Sequence, residues 1–543
     1  MYQNYTINQL CLPIDLEIKL EENDFAHAIV QFVDSIPDEV FLPYYQSMGR
    51  PQYHPRMLLS IILCAYIQGV YSGRQIQNML IDSIRMRYLS QEQFPNFRTI
   101  NRFRVHPIMN DILDHSFVQF RELLVQSGLI SGSALYIDGT KIEADANKYS
   151  FVWKKSILKY KDSLDQKALE NYQQMVETKI LPELIDDLKD ELSIEEIERI
   201  RQSLEEKENQ LIEAIDQTET VEERKLLRKE KSEVHKQKKR FDDFAQRKMS
   251  YEEQLVIMGV RNSFSKTDHD ATFMRMKEDH MLNGQLKPAY NVQVAVENYF
   301  IIHTYISNDR TDYNTLIPVL EKHEAAFGSF PEETTADSGY CSEKNLLYLK
   351  ENGITSYIKL QDHEKRKTRA YAEDIGKYYN MKSVIYEDEH YYVCHDGREL
   401  RHIRTETKQQ EGYVQTFEVY GCSDCSGCEH KAKCLYKYNA ERDQDKNKVM
   451  KINERWEELK EETHANIQSE KGILNRQIRS IQTEGHFGDI KENEDFRRFH
   501  YRSSEKVYRE FLLYAIGRNL NKYHRFSIGE LKKYEPKNDE NAA

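Results

Sequence analysis

The feature that most constrains this chain is a long, highly charged stretch, residues 154–250, which lies between two regions of predicted β-strands. Its apolar residues recur at seven-residue spacing along two arms: Ile197, Leu204, Leu211, then Leu227, Val234, Phe241. Such spacing predicts an antiparallel helical hairpin, and Ser193 with Glu196 forms a candidate capping box before it. Any sheet in this protein must therefore be assembled from strands on both sides of a helical insertion.

The two arms of this hairpin carry opposite charge. Residues 183–216 hold thirteen acidic residues against four basic ones, and residues 224–248 hold eleven basic against four acidic. Opposite charges favour pairing of the arms, which explains the basic run structurally. Direct contact of the basic arm with DNA is the alternative.

Strand and helix patterns fill the remainder of the chain. The N-terminal region looks helical, and an apolar run predicts a buried strand that ends at Asp138. Beyond the insertion we predict strands over 289–297 and 299–307, a helix over 312–328, a short strand ending at Asp337, and a strand over 353–360. Residues 361–470 are polar and predicted to be irregular, and the C-terminal segment is predicted to be helical. The patterns predict an α+β or α/β protein built around one mixed sheet.

Size and composition limit the class of protein. The chain has 543 residues, too many for one core, and no apolar run reaches the roughly 18 residues of a membrane span. The N-terminus has no basic start followed by an apolar stretch, which predicts a cytoplasmic protein. Association with the nucleoid is expected if the protein binds DNA. The net charge of −13, taken alone, argues against a nucleic-acid partner. Residues 50–104, however, hold eight Arg against two acids, and local charge decides whether a polyanion is attracted.

A candidate helix-turn-helix lies near the end of the N-terminal region. In the sequence FPNFRTINRFRVH, Pro95 marks a break, and a short helix is predicted to begin near Phe97 or Arg98. Arg98, Arg102 and Arg104 on that helix are of the type that contacts phosphates and base edges. The alternative is a surface helix with ordinary solvated arginines.

Three carboxylates and two cations form the candidate catalytic set. Asp138 and Asp337 end predicted strands, and Glu484 lies at or near the start of a late helix. Three such groups can hold two Mg²⁺ or Mn²⁺ ions roughly 3.5–4 Å apart for in-line phosphoryl transfer. Lys491, seven residues after Glu484, and Arg479, five before it, can hold a phosphate nearby. For Asp138, the alternative is a plain Asp-Gly turn.

Four cysteines, Cys422, Cys425, Cys428 and Cys434, cluster in the sequence CSDCSGCEHKAKC. In a reducing compartment such a cluster predicts metal ligands before disulfides, and four thiolates suit one structural Zn²⁺. An iron–sulfur centre and an unliganded cluster are the alternatives. Cys394 becomes a further candidate ligand if the fold brings it near.

In combination, these motifs resemble those of the DDE transposases of bacterial insertion sequences. The matching stretches are YIDGTKIEADANKYSFVWKK, TDHDATFMRMKEDHMLNGQLKPAYNVQVAV, ADSGYCSEKN and RSIQTEGHFGDIKENEDFRRF, with RPQYHPRMLLSIILCAYIQGVYSGRQI nearer the N-terminus. The resemblance extends from about residue 40 to about residue 525. It is closest to the branch with an N-terminal helical DNA-binding region and a catalytic domain interrupted by insertions.

This resemblance implies an RNase H-like fold, metal-dependent cleavage at transposon ends and transfer of the 3′-OH strands into target DNA. Carried over by motif, Asp138 is the first acid, Asp337 the second and Glu484 the third, while Glu505 and Glu510 on the C-terminal helices are the alternatives for the third. Glu484 and Lys491 meet the related Glu-x6-Lys pattern, whereas Arg479 stands one residue further from the glutamate than is usual. The implied partners are double-stranded DNA, as terminal inverted repeats and as target, and a second copy of the chain, since synapsis of two ends needs at least a dimer.

The resemblance and the patterns together divide the chain into six predicted segments. These are residues 1–125, the helical DNA-binding domain; 126–153, the first part of the RNase H-like core; 154–255, the helical-hairpin insertion; 256–360, the core continued; 361–470, a polar insertion with the cysteines; and 471–543, the C-terminal catalytic helices and tail. Two other functions stay open: a metal-dependent nuclease or resolvase on the same fold, and a catalytically silent DNA-binding regulator derived from a transposase.

Overall fold

The computed structural model describes residues 20–45, 52–185, 190–276, 284–387, 389–410 and 413–532, with the side chains of residues 410 and 484 left outside that description. Within these ranges, none of the helices combines the length and the apolar character that crossing a bilayer requires. The N-terminal segment on which the cytoplasmic prediction was based, residues 1–19, lies outside the described residues.

Helices form the N-terminal region between residues 20 and 126. They are α1 (Phe25–Ser35), α2 (Asp38–Phe41), α3 (Pro55–Ile67), α4 (Gly73–Asp82), α5 (Ile84–Ser90), α6 (Phe97–Val105) and α7 (Met109–Gln126), with a 3₁₀ turn at Leu42–Tyr44. The apolar α3 is buried along most of its length. Helix α6 begins at Phe97, as predicted after the break at Pro95, because the Asn96 side chain accepts a hydrogen bond from Arg98 N (2.9 Å).

The charged insertion is helical. It follows β1 (Ala134–Glu143) and β2 (Phe151–Trp153) and consists of α8 (Lys154–Glu177), α9 (Ile194–Gln217) and α10 (Val221–Met258). Helices α9 and α10 run antiparallel along the predicted seven-residue apolar stripes, and Ser193 and Glu196 form the capping box. Ion pairs join the acidic arm to the basic one, for example Lys238 Nζ to Glu205 Oε1 (3.2 Å). Part of the basic run therefore serves to pair the two arms.

The main sheet is mixed, as predicted. The elements that follow the insertion are β3 (Ser263–Ser265), β4 (Thr272–Arg275), β5 (Leu286–Glu297), β6 (Phe300–Ser307), α11 (Leu316–Phe327), β7 (Glu333–Ala336), a 3₁₀ turn at Ser338–Tyr340, α12 (Glu343–Glu351) and β8 (Thr355–Ile358). Strand β3 pairs with β2 in a separate two-stranded sheet. The strand order is β6-β5-β1-β7-β8. Strand β4 pairs with the beginning of β5, and β6 pairs with the rest of that strand. The pairs β6–β5 and β5–β1 are antiparallel, whereas β1–β7 and β7–β8 are parallel.

The position of Asp138 differs from the prediction that a strand ends there. Asp138 lies inside β1, opposite Val294 of the antiparallel neighbour β5. The parallel pairing of β1 with β7, however, stops at Tyr136 opposite Thr335. Strand β1 continues because β5 still pairs with it, while β7 has already turned away at Asp337. The two aspartates therefore lie at the same end of two adjacent strands.

Residues 361–470 are not irregular, which corrects the sequence prediction. They contain α13 (His363–Arg366), α14 (Arg369–Ala372), a 3₁₀ turn at Tyr378–Asn380, β9 (Lys382–Tyr386), β10 (Glu389–Val393), β11 (Glu399–Gln410), β12 (Tyr413–Cys422), α15 (Lys431–Cys434) and β13 (Val449–Ile452). The strands form a second sheet, antiparallel throughout, in the order β13-β12-β11-β10-β9. Most side chains on β9 and β11 are exposed, so the apolar alternation that marks a half-buried strand is missing.

The C-terminal helices complete the main core. They are α16 (Glu454–Gln468), α17 (Glu470–Arg479), α18 (Gly485–Gly488) and α19 (Ser504–Ser527), with π-helical turns at Ser480–Glu484 and Asp489–Asn493. Helix α19 is buried from Arg509 to Leu520, and its Asn519 exchanges hydrogen bonds with the backbone of Ile301 on β6 (2.9 and 2.8 Å). One hydrophobic cluster runs from the N-terminal helices through the main sheet to α19.

Candidate active site

Asp138 is a buried carboxylate held from two sides. Its Oδ1 accepts a hydrogen bond from Gly139 N (2.8 Å). Its Oδ2 accepts from Arg479 Nη1 (2.9 Å), at the end of α17, and from Thr483 Oγ1 (3.2 Å), one turn later. The guanidinium compensates the charge of a carboxylate that is only 6% exposed. The predicted Arg479 thus lies against the first predicted acid, and Thr483 is a neighbour that the sequence did not reveal.

Asp337 follows β7 directly and starts a tight turn. Its Oδ1 accepts a hydrogen bond from Gly339 N (2.7 Å), which fixes the 3₁₀ turn Ser338–Tyr340. A Cβ on Gly339 would lie only 2.9 Å from Asp337 Oδ1, so a residue without a side chain suits this position. The turn places Tyr340 beneath the two aspartates.

Tyr340 shows that a third aspartate shares this region. Its ring is completely buried, and burial is the largest of the causes that raise its pKa well above the usual range. The charges of Asp312, Asp138 and Asp337 raise that pKa further, whereas Arg479 lowers it. Three carboxylates therefore surround one phenol. The sequence had shown Asp312 only as the first residue of a predicted helix.

The structure leaves Glu484 undecided. Its backbone ends the π-helical turn Ser480–Glu484, and its side chain lies outside the described residues. Lys491 is buried in the second π-helical turn, Asp489–Asn493. The expectation that Lys491 and Glu484 share a helix face used the α-helical period, and π turns change that period. Their roles remain predictions.

Within the described ranges, no group of three or more His, Cys, Asp or Glu side chains is arranged to hold a metal ion. The predicted set of Asp138, Asp337 and Glu484 falls partly outside that search, because the Glu484 carboxylate is not described. The chemistry of the donors nevertheless suits a hard divalent cation, since Asp138 and Asp337 bring carboxylates to the same end of two adjacent strands.

The arginines of α6 divide into two groups. Arg98 and Arg102 are exposed, and their four-residue spacing puts them on one face of the helix. Arg104 is 3% exposed, and its Nη1 donates to Tyr66 Oη (3.1 Å) and to the carbonyl oxygen of Tyr71 (2.7 Å). The prediction that Arg104 contacts DNA is therefore corrected: its guanidinium ties α6 to the interior.

The clustered cysteines occupy one corner of the second sheet. Cys422 ends β12, and its Sγ donates to the carbonyl oxygen of Asp424 (3.1 Å). Burial raises the pKa of Cys422 to about 11, and the nearby Cys425 and Cys394 add to the shift. The pKa of Cys434 is also raised, mainly by burial and then by Cys394 and other thiols of the cluster. The fold thus brings Cys394 near the cluster, while zinc binding stays a prediction.

The fold and this site define an α+β protein with a helical N-terminal region and a carboxylate-bearing mixed sheet. Two family models match it: one described as a transposase DDE domain, over residues 393–524, and one described as a transposase domain (DUF772), over residues 14–106. No curated protein and no solved structure matches the chain.

Both matches are to transposase domains, and they support a DDE transposase of an insertion-sequence type, in agreement with the resemblance seen in its motifs. A DDE domain in turn indicates a polynucleotidyl transferase or nuclease, for which DNA is the natural partner. The match that begins at residue 393 includes Glu484 and Lys491, whereas Asp138 and Asp337 precede it.

Proposed function

We propose that this transposase binds the terminal inverted repeats of its insertion sequence, cleaves the DNA ends and transfers the 3′-OH strands to target DNA. The observation that carries the proposal is the convergence of Asp138 and Asp337 at the same end of strands β1 and β7, with Arg479 bonded to Asp138. The strand order β6-β5-β1-β7-β8, with three antiparallel strands followed by two parallel ones, supports an RNase H-like core.

Asp138, Asp337 and Glu484 are the residues that would hold divalent ions in this site. Bound Mg²⁺ or Mn²⁺ supplies Lewis acidity and an activated attacking oxygen for phosphoryl transfer. Arg479 donates a charge-assisted hydrogen bond to Asp138 Oδ2 and so fixes the position of that oxygen. Thr483 holds the same oxygen and also bonds the carbonyl oxygen of Arg479 (2.8 Å), so α17 and the π turn are locked onto β1. We assign phosphate binding to Lys491 and Arg479.

The N-terminal region is the part that we propose recognises the terminal repeats. Arg98 and Arg102 form the exposed basic face of α6, and Arg74 of α4 lies over the Phe97 ring (5.1 Å) beside them. The amide N of Phe97 donates to Gln77 Oε1 (2.8 Å), which fixes α6 against α4. This arrangement supports a helix-turn-helix-like use of α4 and α6, in a complex that holds two copies of the chain.

We propose that the domains correspond to the six predicted segments, with one addition. Residues 361–470 form a separate folding unit around the second sheet, with a structural Zn²⁺ bound by Cys422, Cys425, Cys428 and Cys434. The support for this metal is the short spacing of the four cysteines in the sequence. Their thiols are not arranged around a metal position in the described structure, so binding would have to draw them together.

The direct test is a plasmid that carries the element with its own terminal repeats. With Mg²⁺, we expect wild-type protein to bind the repeats, cut both ends and join them to target DNA. Asp337→Asn should bind the repeats within a few-fold of wild type and show no cleavage, because the amide lacks the charge that neutralises a cation. Glu143→Gln, on β1 but paired with Lys287 away from the aspartates, is the matched control and should cut normally.

The outcomes separate the alternatives. Binding without any cleavage by the wild-type protein would indicate a regulator, and cleavage without strand joining would indicate a nuclease or resolvase. Cleavage by Asp337→Asn at the wild-type rate would refute the assignment of the second acid.

The DNA-binding surface has a test of its own. Replacing both Arg98 and Arg102 with Ala should weaken binding to the repeats and lower the slope of log affinity against log salt by roughly two, one for each phosphate that is no longer neutralised. Arg87→Ala is the control, because Arg87 is an exposed arginine of α5 already paired with Glu92 (2.9 Å). An unchanged slope in the double variant would assign α6 to the ordinary protein surface.

A further inference from the structure

Asp312 lies in the loop between β6 and α11, and its carboxylate accepts hydrogen bonds from the protein, as those of Asp138 and Asp337 do. Its Oδ1 accepts hydrogen bonds from Asn291 Nδ2 (2.7 Å) and Gln293 Nε2 (2.9 Å). Both amides project from β5 and are almost completely buried. The Gln293 side chain is fixed in turn, because its Oε1 accepts a hydrogen bond from Tyr340 Oη. A loop carboxylate is thus tied to the central strands of the main sheet.

Two glycines leave the space that Asp312 occupies. A Cβ on Gly139, the residue after Asp138, would lie 2.9 Å from Asp312 Oδ1. A Cβ on Gly339 would lie 3.2 Å from Asp312 Oδ2 and 2.9 Å from Asp337 Oδ1. The second oxygen of Asp312 and an oxygen of Asp337 therefore approach the same point, between the two strand ends.

The Asp312 side chain has no role in starting the following helix. Thr315, which precedes α11, bonds instead to the backbone of Asp312: both its N (3.1 Å) and its Oγ1 (2.9 Å) donate to the Asp312 carbonyl oxygen. A hydrogen-bonding role towards the two amides would need only a neutral acceptor. Placing a second carboxylate near Asp337 instead adds repulsion between like charges, which a bound cation would relieve.

We propose that Asp312 is a further metal-binding residue of this active site, presenting Oδ2 to a divalent cation that it shares with Asp337. The proposal rests on the proposed function, since it assumes that the cation site lies at these strand ends. In this arrangement Asn291 and Gln293 are positioning residues: they hold Oδ1 and leave Oδ2 directed at the cation. The site then has a carboxylate from the β6–α11 loop in addition to the three predicted acids.

The test measures binding of Mn²⁺ alone to the full-length chain, by the loss of the electron paramagnetic resonance signal of free Mn²⁺. Asp312→Asn keeps one oxygen to accept from Asn291 and Gln293 and loses only the charge and the second oxygen. We expect it to weaken Mn²⁺ binding by about tenfold or more, as loss of a ligand or of its support does in other metal sites. Asp309→Asn is the matched control, because it removes one carboxylate charge from the same loop, three residues before Asp312. It should bind Mn²⁺ like wild type.

A second measurement does not depend on any variant folding. Fe²⁺ in place of Mn²⁺, with peroxide and ascorbate, cuts the backbone close to the bound ion, and the cuts are mapped by mass spectrometry. We expect wild-type chain to be cut near residues 138, 312 and 337, with all three cuts suppressed by excess Mg²⁺. Cuts near 138 and 337 without one near 312 would overturn the proposal.

Comparison with Asp337→Asn distinguishes failure of this proposal from failure of the proposed function. If Asp337→Asn loses Mn²⁺ and Asp312→Asn binds it with wild-type affinity, the active site stands and Asp312 is not part of it. If neither variant changes Mn²⁺ binding and no cuts appear near residues 138 and 337, the cation site itself is misplaced and both proposals fall.

Discussion

The main sheet and the second sheet are built in opposite ways. In the main sheet, β5 and β7 are buried along almost their whole length, and the cluster around them continues into α3 and α19. In the second sheet, β9 and most of β11 are exposed, and eight buried residues described near the cysteines form the core. The main sheet is therefore stabilised by packing on its faces. The second sheet depends on the hydrogen bonds between its strands and on the small buried core near the cysteines.

This difference indicates which sheet can hold the side chains of an active site in fixed positions. Catalytic groups must be held to within about 0.5 Å, and side chains locked by buried neighbours achieve that. The proposed metal ligands Asp138, Asp312 and Asp337 all belong to the buried sheet or to loops tied to it. The buried Gln293 of β5 bonds both Asp312 and Tyr340. The second sheet carries thiols instead, whose geometry a bound metal can impose on a small core.

Among the substitutions that distinguish the two sheets, Gly139→Ala on β1 is expected to have the largest effect on stability and cleavage. The new Cβ would lie 2.4 Å from Gln293 Nε2, and Gln293 is completely buried and cannot move aside. We expect a loss of about 1–3 kcal/mol in the free energy of unfolding, as for other overpacked cores. DNA cleavage should fall by about 100-fold, because the carboxylates beside Gln293 are displaced. Urea denaturation and a plasmid-cleavage assay measure the two effects.

Gly421→Ala on β12 is the control within the second sheet. Its Cβ would also meet an atom at 2.4 Å, but that atom is Cδ1 of Ile403, a half-exposed side chain that can rotate into solvent. The unfolding free energy should change by less than about 0.5 kcal/mol and cleavage should be unaffected. Equal losses in the two variants would show that the sheets do not differ in rigidity.

The sequence predicted the elements whose patterns come from burial. Strands β5 and β6, helix α6 and the hairpin α9–α10 follow apolar periodicity and turn residues, so their existence was predictable although their ends shifted. The hairpin turn shows the limit: two residues, Asn298 and Tyr299, have positive φ (47° and 69°), where the sequence suggested Asn298 alone. Such a turn matches the twist of the strands it joins.

The second sheet escaped prediction because it lacks those patterns. On β11, the register places Arg401, Arg404 and Glu406 on one face and the polar His402 and Thr405 on the other, so neither face carries an apolar stripe. Ion pairs such as Lys451 with Glu406 replace apolar contacts. Arg104 and Asp312 were misjudged for a related reason. An arginine in a basic helix and an aspartate in a polar loop look the same in sequence whether they face solvent or a buried partner.

The second expected effect comes from Cys425→Ser, which tests whether a metal bound by the cysteines stabilises the second sheet. If the cysteines bind zinc, purified wild-type chain should contain about one zinc and the variant almost none, because serine is a poor zinc ligand. The variant should also become sensitive to protease between residues 400 and 450, while the N-terminal region still binds DNA. Elemental analysis and limited proteolysis measure these changes.

Cys341→Ser provides the matched substitution in the main core. Cys341 is also a buried thiol, lying after β7, and it packs in the large cluster. We expect a loss of about 1 kcal/mol with no change in metal content. Less than a tenth of a zinc or iron per wild-type chain, with unchanged proteolysis of Cys425→Ser, would leave the cluster as unliganded thiols.

The last expected effect is a difference in acid sensitivity between the two sheets, which arises from a buried histidine pair beside the main sheet. His303 Nε2 lies 3.1 Å from His323 Nδ1, and both rings are buried. Burial lowers the pKa of His323 to about 4 and lowers that of His303 well below its usual range, and Arg121 adds to both shifts. A folded-state pKa below the unfolded value of 6.5 means that the stabilisation is present above pH 6.5 and is lost as the pH falls towards 4.

Between pH 7.5 and 5 the main sheet should therefore lose about 2 kcal/mol of stability through His323. The second sheet should change little, because none of the histidines on its described strands is buried. Proteolysis in rising urea at the two pH values, with fragments identified by mass spectrometry, gives separate unfolding midpoints for the two sheets.

His323→Phe keeps a ring next to Phe327 and removes one titrating group, so it should reduce the acid sensitivity of the main sheet. His402→Gln should leave both midpoints as they are. An acid shift of equal size in both sheets, or one that persists in full in His323→Phe, would mean that surface charge rather than the buried pair sets the response.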